Sequence, residues 1–91
     1  MNELIFEGKI EELYTPRTYT DRNGVQHVSR EILVATDEMY PQRLLGELQE
    51  GNANLPLAPG MKVRCYLNFR VGRGNTSERM FNNIKIWKID F

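Results

Sequence analysis

Residues 61–71, MKVRCYLNFRV, alternate without a break. Val63, Cys65, Leu67, Phe69 and Val71 fall on one parity; Lys62, Arg64, Tyr66, Asn68 and Arg70 fall on the other. A period of two sends successive side chains to opposite faces of an extended chain, so this stretch predicts a strand with one face in a core and the other in water. A small open sheet built on such a strand would have exposed edges to protect, whereas a closed barrel removes them. The rest of the chain is therefore read for further strands.

LIFEGKIEELY near the N-terminus places Leu4, Phe6, Gly8 and Ile10 on one side and Ile5, Glu7, Lys9 and Glu11 on the other. It reads as a first strand, with Gly8 marking a bulge or bend. TPRTYTDRNG is dense in turn residues, and Asn23-Gly24 fits a tight turn that needs positive φ. VQHVSREILVAT predicts a long second strand, and QRLLGELQ a third with Leu44 and Leu48 inward. Tyr40, beside Pro41, is expected to pack in the turn before it. In EGNANLPLAPG, Pro56 and Pro59 exclude a long helix, which leaves one helical turn or a loop ended by Gly60. MKVRCYLNFRV and ERMFNNIKIWKIDF are the fourth and fifth strands, joined by an arginine-glycine loop at 72–77. The 91 residues make one domain, 1–91. The predicted class is all-β: a small five-stranded Greek-key barrel, with a short helical turn between strands 3 and 4.

Several kinds of chemistry lack their residues. Cys65 is the only cysteine, which excludes an internal disulfide, and it lies on the apolar parity of its strand, where a thiol is inert by burial. His27 is the only histidine and is expected at the surface. One histidine and one cysteine without ligand spacing make no metal site and no nucleophile pair, so neither metal nor cofactor is expected and the chain is not read as an enzyme. VGRGNT lacks the third glycine of a phosphate-cradling loop and precedes a strand instead of a helix. The N-terminus lacks a secretory pattern, and no apolar run approaches membrane-spanning length. The expectation is a cytoplasmic protein with no membrane partner.

Net charge is zero, yet its distribution is uneven. Glu3, Glu7, Glu11 and Glu12 face a single Lys9 in residues 1–14, whereas residues 61–91 carry seven bases against Glu78 and Asp90. Local field, more than net charge, steers a ligand. Arginines number eight to four lysines, which favours phosphate forks and ring stacking. In a five-stranded Greek-key barrel the ligand surface is the strand 2–3 face flanked by loops 1–2 and 4–5. Here those loops, at 15–24 and 72–78, are the two rich in turn residues and bases. The candidate nucleic-acid contacts are Arg17, Tyr19 and Arg22 in the first loop, and Arg70, Arg73 and Arg79 around the second. Arg30 and Arg43 are expected on the floor between them. Tyr66, Phe81 and Trp87 are candidate stacking or interface residues, against the alternative that Phe81 and Trp87 pack in the core. Glu31 and Glu47 lie near the same face and oppose phosphate.

Placed in this order, FEGKIEELY, SREILVAT, YPQRLLGELQ, LAPGMKVRCYLNFRV and ERMFNNIKIWKI resemble the strands of the single-stranded DNA-binding protein superfamily, its short one-domain bacterial members in particular. Tyr40-Pro41 and Trp87-Lys88 fit a small bacterial family of stand-alone domains of that architecture. The resemblance implies an OB-fold, a role in DNA replication or repair, and single-stranded DNA or RNA as partner. It also implies assembly as a homodimer or higher homo-oligomer. The acidic, aromatic recruiting tail of replication-type members has no counterpart after IDF, so that role is expected to be absent or reduced. The function expected is non-catalytic binding of single strands with little sequence preference. The alternative is a protein-interaction or self-assembly module that binds no nucleic acid.

Overall fold

The computed structural model describes residues 3–73 and 80–91. In chain order it has β1 (Leu4–Leu13), β2 (Arg17–Thr20), β3 (Gln26–Ala35), β4 (Arg43–Gln49), a 3-10 turn η1 (Glu50–Asn54), β5 (Lys62–Arg73) and β6 (Met80–Asp90). The strands run β1-β5-β6-β4-β3-β2 across the sheet, and β1 also pairs with β3. Five strands thus form a ring of pairings that returns on itself, with η1 inserted between the third and fourth of them, as the sequence leads one to expect. The sixth, β2, is an addition. Part of the stretch expected as loop 1–2 is extended, because Arg17–Thr20 pairs along the protruding start of β3, Tyr19 opposite His27 and Thr20 opposite Gln26. The turn closing this hairpin uses Gly24 at φ +79°, and the Asp21 carboxylate accepts from the amides of Asn23 (2.8 Å) and Val25 (3.0 Å).

Two glycines let the ring close. β1 pairs with β5 from Leu4 to Lys9, then with β3 from Lys9 to Leu13. At this crossing a Cβ on Gly8 would collide with the carbonyl of Ala35. The bulge expected at Gly8 lies instead between Ile10 and Glu12; what Gly8 supplies is the close approach. On the far side β4 and β6 meet in parallel, Glu47 beside Lys85 and Leu48 beside Ile86. There a Cβ on Gly46 would come within 2.6 Å of Ile86 Cδ1. Gly8→Ala is expected to lower unfolding free energy by about 1–3 kcal/mol through overpacking against rigid backbone, measured by urea denaturation.

The core is Ile10, Ile32, Val34, Leu44, Leu48, Val63, Cys65, Leu67, Ile86 and Ile89, with Ala53 of η1 plugging one end. The inward parity of β5 does not stay buried: Phe69 and Val71 are exposed. The last β5 residue paired to β1 is Leu67, so beyond it, among the described residues, β5 pairs with β6 alone and the two strands project past the ring. Tyr40 does not pack in its turn but is 85 % exposed at the tip of the β3–β4 connection.

Candidate nucleic-acid interface

Cα partners on neighbouring strands share a face, so the register reads out the outer surface of the ring directly. One row runs Arg17–Ser29–Gln49 across β2, β3 and β4. The next runs Glu31–Glu47–Lys85–Asn68 across β3, β4, β6 and β5. Two residues beyond Lys85, on the same parity of β6, stands Trp87, which joins Gln49 at the rim of a groove. This groove, about 340 Å³, is lined by Gln49, Asn52, Asn68, Arg70, Lys85, Ile86 and Trp87. Asn52 of η1 donates through Nδ2 to the Trp87 carbonyl at 3.1 Å, which fixes the turn against β6. Trp87 is not a core residue; it is 47 % exposed, and its ring lies 5.5 Å from that of Tyr66. Tyr66 is half-buried, donates to Asp90 Oδ2 at 3.2 Å and carries the Lys88 ammonium 5.0 Å over its ring. At the opposite edge of the face Tyr19, also half-exposed, stacks on His27 with centroids 5.1 Å apart.

Electrostatically the face is compensated, not basic. Arg17 Nη2 pairs with Glu31 (2.9 Å) and Lys85 Nζ with Glu47 (2.9 Å). The exposed Arg17–Glu31 pair is worth only about 0–1 kcal/mol, so a phosphate can compete for Arg17, whereas the Lys85–Glu47 pair is partly buried. Arg70 lines the groove. Arg22 is exposed at the β2–β3 turn. Two of the expected floor residues are elsewhere. Arg30 occupies the inward register opposite the fully buried Leu48, and its Nε donates to the Tyr14 carbonyl at 2.8 Å. Arg43 shares the outer parity but lies four residues from Glu47, about 13 Å along the strand, and its Nε donates to both oxygens of Glu11. The backbone of Arg73 pairs with Met80 and that of Phe81 with Gly72. Arg79 and the side chains of Arg73 and Phe81 lie outside the described residues. Sequence reasoning missed Gln49, Asn52, Asn68 and Lys85. Asn68 and Lys85 were detectable as polar-parity residues of paired strands, but Asn52 depends on how the 3-10 turn docks.

Burial pushes the Cys65 thiol up to about 11, as expected of a core cysteine. Both nitrogens of His27 are engaged by carboxylates, 2.7 Å from Glu50 and 2.8 Å from Asp21. Among the described residues no three His, Cys, Asp or Glu side chains are grouped to hold a metal ion, and no helix is long and apolar enough to cross a membrane.

The family model for a domain of unknown function, DUF3127, matches residues 5–90. This chain belongs to the DUF3127 family. No curated protein matches the sequence. Among solved structures the chain is similar to the second OB-fold domain of replication protein A from Methanococcus maripaludis, at TM-score 0.70 and 12 % identity, over 98 % of this chain and 82 % of that one. It is similar to PriB from Ralstonia solanacearum at TM-score 0.59 and 13 % identity, over 99 % and 96 % of the two chains. A small single-stranded DNA-binding protein from Streptomyces coelicolor superposes at TM-score 0.52 and 20 % identity, over 99 % and 93 %. The DUF3127 chain is thus an all-β OB-fold, and at these identities the likeness is one of fold.

Proposed function

We propose that this protein binds single-stranded nucleic acid, without catalysis, on the outer face of β3, β4 and β6. The observation that carries the reading is the groove at Trp87. A half-exposed indole stands beside two cations, Arg70 and Lys85, and three carboxamides, Gln49, Asn52 and Asn68. Such a site offers a base a ring to stack on, a phosphate a cation, and a base edge mixed donors and acceptors. Arg17 and Tyr19 extend the same face towards the β2–β3 hairpin. The fold supports the reading too, since a protein described as binding single-stranded DNA shares it. Arg73 and Arg79 belong to the proposal through their place in the sequence, at the end of β5 and just before β6.

Anisotropy of a labelled oligo-dT titrated at several salt concentrations tests this. With two or three phosphates engaged, log K falls against log salt with a slope of roughly −1.5 to −2. A flat salt response would remove the phosphate contacts from the account. Glu47→Gln is expected to tighten binding several-fold, because it removes an acid from the face and frees Lys85, while stability changes by no more than about 1 kcal/mol. Unchanged or weaker binding would show that Lys85 takes no part.

A protein-interaction or self-assembly module is the second reading, favoured by the exposed Leu4, Phe69 and Val71 around the end of the ring. Sedimentation velocity of the protein alone distinguishes them: assembly together with no binding of any single strand supports the module.

A further inference from the structure

His27 takes no part in the groove, although both of its ring nitrogens are held by carboxylates. Its Nδ1 lies 2.7 Å from Glu50 Oε1 and its Nε2 2.8 Å from Asp21 Oδ2, so each ring nitrogen meets a carboxylate. A neutral imidazole has one N–H and can donate to only one of them; donation to both requires the imidazolium. The partners come from separate elements. Asp21 belongs to the β2–β3 turn, which its other oxygen braces through the amides of Asn23 and Val25. Glu50 opens η1, and its backbone sits at φ +57°, a left-handed conformation that a residue with a Cβ rarely adopts. Strain of this kind persists where the surroundings impose it. Here it accompanies a side chain that reaches from η1 to β3. Tyr19 of β2 covers the ring by stacking.

We propose that His27 is a proton-dependent strut that, as an imidazolium, holds the β2–β3 hairpin to the η1 turn and so fixes the positions of Tyr19 and Asn52 on the outer face. The links are short. His27 holds Glu50, two residues before Asn52, and Asn52 holds the Trp87 carbonyl. On the other side His27 holds Asp21 and supports the Tyr19 ring. Loss of the proton leaves one N–H for two carboxylates, so either the link to Glu50 of η1 or the link to Asp21 of the hairpin turn is given up.

Among the described residues, the charged groups acting on the ring are Asp21 and Glu50. The bond to Asp21, then that to Glu50, raises the His27 pKa above its ordinary 6.5, and partial burial opposes this. The bond to His27 in turn holds the Asp21 carboxyl below its usual range. The sign follows. The strut is complete below the ordinary histidine value, is lost as pH rises through the raised value, and fails at the acid end as Asp21 protonates.

NMR of the intact protein tests this without nucleic acid, so its outcome is separate from that of the binding reading. The His27 ring carbons are followed through a pH titration together with the Tyr19 ring and the Asn52 side-chain amide. The expected result is a His27 midpoint above 6.5, with the Tyr19 and Asn52 signals shifting at that same midpoint. Glu50→Gln is expected to lower all three midpoints together, and His27→Gln to leave the Tyr19 and Asn52 signals pH-independent over that range. A His27 that titrates at its ordinary value would overturn the proposal. So would Tyr19 and Asn52 signals that ignore its titration in a folded protein.

Discussion

Trp87→Ala is expected to weaken binding of oligo-dT by about 5- to 100-fold, because one base loses its stacking surface, worth about 1–3 kcal/mol. The effect should be confined to binding. The indole is 47 % exposed and stands outside the core that holds Ile86 and Ile89 of the same strand. Trp87→Phe keeps a ring and should recover part of the loss. Far-ultraviolet circular dichroism and the thermal midpoint check that the fold is intact, and anisotropy reads the affinity. Full affinity in a folded Trp87→Ala protein would place the ligand, if there is one, away from this groove.

The largest effect on stability is expected at Leu48. Its side chain is fully buried, and its backbone stands where β4 meets both Arg30 on β3 and Ile86 on β6. The β4–β6 contact is the one parallel pairing in the ring and is short, only the pairs Glu47–Lys85 and Leu48–Ile86. Leu48→Ala therefore leaves a cavity at the closure of the ring, where neighbouring backbone cannot collapse to fill it. A loss of about 2–5 kcal/mol is expected. In a domain of this size that is a large share of total stability and lowers the thermal midpoint by roughly 10 °C or more. Urea denaturation measures it. A loss below about 1 kcal/mol would mean that the closure is not held by core packing at this point.

The ring itself was legible because alternation is a local signal. Val63, Cys65 and Leu67 lie inward as their parity says, and so do Leu44 and Leu48. Pro56 and Pro59 limited the insertion to a short turn. The signal failed where tertiary position overrides parity. Phe69 and Val71 continue the pattern of β5 but stand past the last β1 partner, where they are exposed. Arg30 has the composition of a groove cation but sits on the inward parity at the end of the barrel. From the sequence Trp87 fits a stacking ring or a core ring, and large rings are so often core that its exposure needed coordinates to establish. His27 was least legible. Nothing in the spacing of Asp21, His27 and Glu50 announces that a turn, a strand and a 3-10 segment bring two carboxylates to one ring.

Intrinsic fluorescence of the single tryptophan, titrated with oligo-dT at low and then moderate salt, bears most directly on the central claim, that single strands lie in the groove at Trp87. Saturable quenching is expected, with an affinity that falls as salt rises. An oligonucleotide that leaves the Trp87 emission unchanged at low salt would contradict it.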